Sequence, residues 1–162
     1  MKRAKTNASR STATRSRPAD AGTLVVSASE AAAWYARLFE QGRHGRPPPE
    51  GVAKSFLRRG RCWVVASIPL GSLIYHSKKD ASSTRIALAK KYAKQGGEFP
   101  PGVGSYDPRI QPGKVYIQDG NHRALAAQMR GDRAVHVLMP MVEYRAFVRD
   151  RGARRKVPRR SR

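Results

Sequence analysis

Cysteine is nearly missing: Cys62 is the only one in 162 residues. A lone cysteine excludes a disulfide framework and a cysteine-based metal cluster, and it fits a reducing, intracellular setting. Acid is scarce as well, with 11 Asp+Glu against 33 Lys+Arg and a formal charge of +22. The field of such a chain draws polyanions, nucleic acid first and anionic membrane second. No apolar run approaches the roughly 20 residues that a membrane-spanning helix needs. The basic N-terminus has no apolar segment behind it of the kind that makes a secretory signal. Yet apolar residues make up 40% of the chain. That is too many for a wholly disordered polymer and enough for one ordinary domain.

What is present falls into four parts, with no internal repeat. Residues 1–21 are Arg, Lys, Ser, Thr and Ala without periodicity, expected as a disordered basic arm. Residues 22–60 hold an N-terminal helical segment. Ser27 and Glu30 have capping-box spacing ahead of AAAWYARLFEQ, and Gly42 is the expected stop. Trp34, Leu38 and Tyr35 are its candidate core residues. Arg46-Pro47-Pro48-Pro49 reads as a stiff linker. A second short helix over Glu50–Arg59 would turn Val52, Phe56 and Leu57 to one side. Residues 61–149 carry the main pattern. Residues 150–162 end it as a basic tail in which like charges and Pro158 argue against a packed element.

In the main part, CWVVA (Cys62–Ala66) reads as a buried strand, with Cys62 a structural, inert thiol. Pro69 and Gly71 interrupt it before Leu73–Tyr75. Ser82 or Ser83 caps a helix whose apolar side is Ile86, Leu88, Ala89 and Tyr92, ended by Gly96-Gly97. Glu98–Gly113 contains four prolines and three glycines and reads as a long loop, in which Tyr106 and Asp107 are fillers more readily than ligand contacts. Strand (Lys114–Gln118), helix (Asn121–Arg130), turn (Gly131-Asp132), strand (Ala134–Met139) and helix (Met141–Arg149) follow. The expected class is α+β, a short mixed sheet flanked by helices.

The chemistry concentrates at Asp119-Gly120-Asn121-His122-Arg123, where a strand hands over to a helix. A helix N-terminus presents N–H groups without intrahelical partners and about half a unit of positive charge. Glycine lets an anion approach the backbone, Arg123 offers a planar bidentate donor, and His122 a donor or proton carrier. Asn121 caps the helix or holds a ligand oxygen; Asp119 caps it or binds a metal. The bland alternative is an ordinary turn capped by Asp119 or Asn121.

The run Asp119-Gly120-Asn121-His122-Arg123-Ala124-Leu125-Ala126-Ala127 resembles the central motif of the ParB/sulfiredoxin-like superfamily, also called the ParB-like nuclease domain. Ile68-Pro69-Leu70-Gly71-Ser72-Leu73 is similar to that family's opening strand, and the helix from Thr84 to Lys94 stands where the family has one. The resemblance covers residues 64–140 and implies phosphate or nucleotide binding by Gly120, Asn121, His122 and Arg123. Sulfiredoxins place their catalytic cysteine where Asn121 stands, so sulfiredoxin activity is not implied. Partitioning proteins usually place a metal-holding glutamate there, so the resemblance implies nucleotide binding more strongly than CTP hydrolysis. Too few residues follow Pro140 for the partitioning helix-turn-helix.

In the family's layout Lys78, Lys79 and Arg85 face the glycine motif as phosphate contacts, and Asp80 is a candidate divalent-ion ligand. A solvated basic loop is the plainer reading of these residues. His76 and His136 lack metal-ligand spacing, and His136 reads as an outward or satisfied strand residue. Trp34 and Trp63 read as core. Three functions stay open. The first is nucleic-acid binding, DNA for preference, through the tails and body, with a phosphate or nucleotide at the motif. The second is a metal-dependent nuclease with Asp119 and His122 as catalytic groups and Asp119, Asp80 or Glu98 holding Mg or Mn. The third is a nucleotide-dependent phosphotransferase using ATP or CTP. The expected setting is cytoplasmic, at the nucleoid.

Overall fold

The computed structural model describes residues 23–41, 51–75, 82–96 and 99–156. The basic arm 1–21, Gly42, the Arg46–Pro49 linker, His76, Lys78, Lys79, Asp80, Gly97, Glu98 and residues 157–162 lie outside them. The elements run β1 (Leu24–Ser27), α1 (Ala28–Gln41), α2 (Val52–Arg59), β2 (Cys62–Pro69), β3 (Leu73–Ile74), α3 (Ser83–Gln95), β4 (Gly102–Ser105), β5 (Val115–Asp119), α4 (Asn121–Arg130), β6 (Ala134–Pro140) and α5 (Met141–Lys156). A single 3-10 turn over Leu70–Ser72 separates β2 from β3. The class is α+β, with helices flanking one mixed six-stranded sheet of order β1-β2-β6-β4-β5-β3.

The sheet is built around the antiparallel pair β2 and β6, in register from Trp63 opposite Pro140 to Pro69 opposite Ala134. β4 then pairs with β6 in parallel and with β5 antiparallel, and β3 joins β5 in parallel. The near-continuous apolar runs of β2 and β6 are what a strand covered on both faces needs. Successive side chains point to opposite faces. Val64, Ala66 and Ile68 join Val115, Ile117, Val137, Met139 and Phe147 of α5 in one core. Trp63, Val65, Leu138 and Val103 join Ala28, Ala31, Ala32 and Phe56 in the other. A third, smaller cluster locks α3 to α4 through Ala89, Leu125 and Ala126. The alanines of α4 therefore let it approach another helix closely as well as the sheet.

Local chemistry explains most boundaries. The capping box is formed in both directions: Glu30 N–H donates to Ser27 Oγ at 3.2 Å, and Ser27 N–H donates to Glu30 Oε2 at 2.7 Å. Those bonds hold the Glu30 carboxyl below its ordinary range. Ser82 caps α3 by accepting from Arg85 N–H at 3.4 Å, and Gly96 ends it at φ +66°. Phe56 stacks on Trp63 with ring centroids 4.3 Å apart. The Trp63 indole N–H donates to Gly60 O at 3.0 Å.

Five expectations are corrected. Glu98–Gly113 is not one long loop: it contains β4, an interior strand. It escapes notice because two of its four residues are glycine, and space decides both. A Cβ on Gly104 would stand 2.6 Å from Val137 Cγ1 and 3.0 Å from Val115 Cγ1; one on Gly102 would stand 2.8 Å from Asp119 O. The helical segment 22–60 is no separate unit, since β1 is an edge strand of the same sheet and α1 and α2 cover one of its faces. The tail proposed from residue 150 is helical to Lys156. Leu57 is 52% exposed rather than packed beside Phe56 and Val52. Cys62 is exposed, not buried, because it begins β2 outside the stretch that the helices cover. Trp34 and Tyr35 do pack at the core's margin, while the side chain of Leu38 is not among those described.

Tyr106 is a buried anchor of the segment after β4. Its N–H donates to Glu143 Oε2 at 2.7 Å, its hydroxyl accepts from Gly113 N–H at 3.1 Å, and it donates to Asp150 Oδ2. Asp107 closes the following turn by accepting from Arg109 N–H at 2.9 Å. Among the described residues no helix is long and apolar enough to cross a membrane.

Candidate functional site

The run Asp119–Arg123 keeps the geometry that its residues suggest. β5 ends at Asp119 and α4 begins at Asn121. Gly120 between them is the N-cap, in the left-handed region at φ 97°, ψ 15°. Neither Asp119 nor Asn121 takes that position. Asn121 instead donates its side-chain amide back to Ile117 O at 3.4 Å. The left-handed conformation is one reason for glycine here. Space is another: a Cβ would meet Gly102 Cα at 2.8 Å and the Arg123 guanidinium at 3.0 Å.

Arg123 is held from three directions. Its Nη1 donates to Pro100 O and Pro101 O, both at 2.9 Å, and its Nη2 donates to Asp119 Oδ2 at 3.1 Å. Proline offers a carbonyl and no N–H, so the guanidinium fork satisfies the two acceptors that this stretch presents. The Arg123 side chain is 16% exposed. Burial lowers its pKa, against the opposing pull of Asp119 and then Tyr35. It stays a cation. Tyr35 reaches the same cluster from α1. Burial raises its phenol first, the Asp119 charge adds to that, and Arg123 opposes it.

Beside this clamp lies a pocket of about 180 Å³. Its polar lining is Arg123, Arg130, Asp132 and His136, and the backbone of Gly120 and Gly102 closes part of its wall. Arg130 stacks over Phe99, with Cζ 4.3 Å from the ring centroid, and its Nε donates to Asp132 Oδ2 at 3.0 Å. Both pocket arginines thus sit beside a carboxylate. An incoming anion would share them with Asp119 and Asp132 rather than find bare charge.

Of the residues singled out in the sequence, Gly120 and Arg123 line this pocket and Asp119 bonds to Arg123. Asn121 and His122 start α4 half-buried and are not among the lining residues. Arg85 is exposed on the first turn of α3 and does not line it either. Lys78, Lys79, Asp80 and Glu98 lie outside the described residues. Among the described residues no three His, Cys, Asp or Glu side chains gather closely enough to hold a metal ion. Arg130, Phe99, His136 and Tyr35 were not singled out as site residues. One signal was available: positions 123 and 130 are two turns apart on α4 and so share a face. His136 and Tyr35 arrive through strand order and helix packing, which local spacing does not encode. No family model, curated protein or solved structure matches the chain.

Proposed function

We propose that this is a small ParB/sulfiredoxin-like protein of the cytoplasm, at the nucleoid, that binds DNA and seats one phosphate group in the pocket at the head of α4. The observation that carries the proposal is the convergence of Gly120, Arg123, Arg130 and His136 on one small cavity in a chain of charge +22. Size favours a phosphate group over an enclosed nucleotide. Sites that enclose a drug-sized ligand run from about 300 to 1,000 Å³, and a water occupies about 30 Å³ of liquid. The cavity takes the terminal group of a nucleotide or one phosphate of a backbone, with the rest outside. Binding is favoured over hydrolysis because the Asp119 carboxylate, the motif's own metal ligand in the nuclease reading, is bonded to Arg123.

The test is a melting-shift screen with ATP, CTP, inorganic phosphate and duplex DNA, each with and without Mg²⁺, on wild type and His136→Ala. His136 lines the pocket without belonging to the Arg123 clamp, so its loss reports on the pocket. A phosphate-dependent shift that shrinks in the variant supports the proposal. Equal shifts in both proteins, or no shift with any phosphate compound, would remove the pocket from it. Degradation of plasmid DNA that chelation stops would instead establish the nuclease.

A further inference from the structure

Six carboxylates have described side chains, and every one is bonded within the chain. Glu30 serves the capping box, Asp107 takes Arg109, Asp119 takes Arg123 and Asp132 takes Arg130. The remaining two, Glu143 and Asp150, both lie on α5. Glu143 accepts from Tyr106 N–H and pairs with Arg59 at 3.3 Å; Asp150 accepts from the Tyr106 hydroxyl. α5 therefore turns both of its acids inward.

Its other face is of opposite character. Val142, Arg145, Arg149 and Gly152 are spaced i, i+3, i+7 and i+10, which places them on one side of a helix. All four are exposed, as is neighbouring Val148. A Cβ on Gly152 would meet nothing within 4 Å. Val142 at 68% and Val148 at 40% exposure add apolar area beside the arginines, area that only contact would cover. The helix then continues through Arg154, Arg155 and Lys156. α3 also exposes cations, Arg85 on its first turn and Lys90, Lys91 and Lys94 further along. Only one of these four is an arginine, and lysine lacks the planar fork that grips two phosphate oxygens, whereas α5 exposes two arginines one turn apart.

Resting on the nucleic-acid reading above, we propose that the outward face of α5, centred on Arg145 and Arg149, is the surface on which duplex DNA docks. Arginines on consecutive turns contact the phosphates, and the valines lie against the groove edge between them. The contact is insensitive to sequence, because phosphates position a protein without specifying a base.

Two variants of the full chain with equal loss of charge provide the test: Arg145→Gln with Arg149→Gln, and Lys90→Gln with Lys91→Gln. Both pairs are exposed, and glutamine keeps part of each aliphatic stem. Affinity for a duplex of arbitrary sequence is measured over a series of salt concentrations. Each phosphate contact contributes roughly −0.9 to the slope of log K against log salt. The α5 variant is expected to lose about 1.8 from that slope, and the α3 variant to keep the wild-type slope with a small uniform drop in affinity. Equal slopes in the two variants, with wild type still binding, overturn the α5 surface and leave the nucleic-acid reading intact. Failure of wild type to bind duplex DNA overturns both.

Discussion

Gly102 and Gly120 press backbone to backbone. A Cβ on Gly120 would stand 2.8 Å from Gly102 Cα, and one on Gly102 would stand 2.8 Å from the carbonyl oxygen of Asp119. Interior strand and helix start are thus fastened without a side chain between them. Gly120→Ala incurs both the left-handed backbone cost, about 1–2 kcal/mol, and overpacking of about 1–3 kcal/mol. Gly102→Ala incurs only the second. Urea unfolding should rank them in that order, and the double variant should lose less than the sum because one contact is shared. A Gly120→Ala midpoint equal to wild type would contradict the packing.

Arg123 joins the Pro100–Pro101 stretch to α4, so its replacement is a stability change before it is a binding change. Arg123→Lys keeps the charge but cannot span two carbonyls and a carboxylate. A loss of roughly 1–3 kcal/mol is expected, from buried acceptors left without a donor. Arg123→Ala should lose at least as much. Urea midpoints would show this, and ligand affinity should then be scored on the folded fraction.

Alkaline stability should depend on Tyr35. Its folded-state pKa is raised above the ordinary 10.0 by burial and by Asp119. The folded state therefore favours the neutral phenol. That contribution is complete below pH 10.0 and is lost as pH rises through the folded value. Tyr35→Phe should melt less steeply on the alkaline side than wild type. Burial raises Tyr75 also, so part of the fall should persist. Superimposable alkaline limbs, followed by circular dichroism, would place the Tyr35 phenol outside this electrostatic cluster.

Gly152 sits inside α5 with open space around it and is not among the glycines of positive φ. Gly152→Ala should stabilise the protein by about 0.5–1 kcal/mol, chiefly by restricting the unfolded chain. A raised melting temperature is the expected readout; a lowered one would mean that the α5 backbone departs from helix there.

Cys62 should react with a thiol reagent in the native protein, without prior unfolding, because it is exposed. Cys62→Ala should leave the urea midpoint nearly unchanged. Protection of the thiol until the protein unfolds would bury it after all.

Periodicity carried the elements that alternate or cap in plain chemical terms. The Ser27–Glu30 box, the helix after Ser82 and the strand–turn–helix at Gly120 are where their residues place them. β4 was hidden because GVGS has almost no side-chain pattern; its glycines answer to Val137, Val115 and Asp119, which are remote in sequence. Cys62 misled because apolar neighbours along a strand do not say where the covering helices stop. The pocket was half legible. Gly120 and Arg123 come from one motif, whereas His136 reaches the pocket from β6, an element that only topology brings there.

The intramolecular bonding of the described carboxylates has a consequence for self-association. Two copies of a +22 chain repel whenever they approach within a Debye length, about 8 Å at physiological salt. The six described acids are each bonded inside their own copy, which weakens what they offer a neighbour as counter-charge. On the nucleic-acid reading proposed above, copies of this protein are expected to gather side by side along a shared polyanion, with crowding set by the template's length and dissolved by salt.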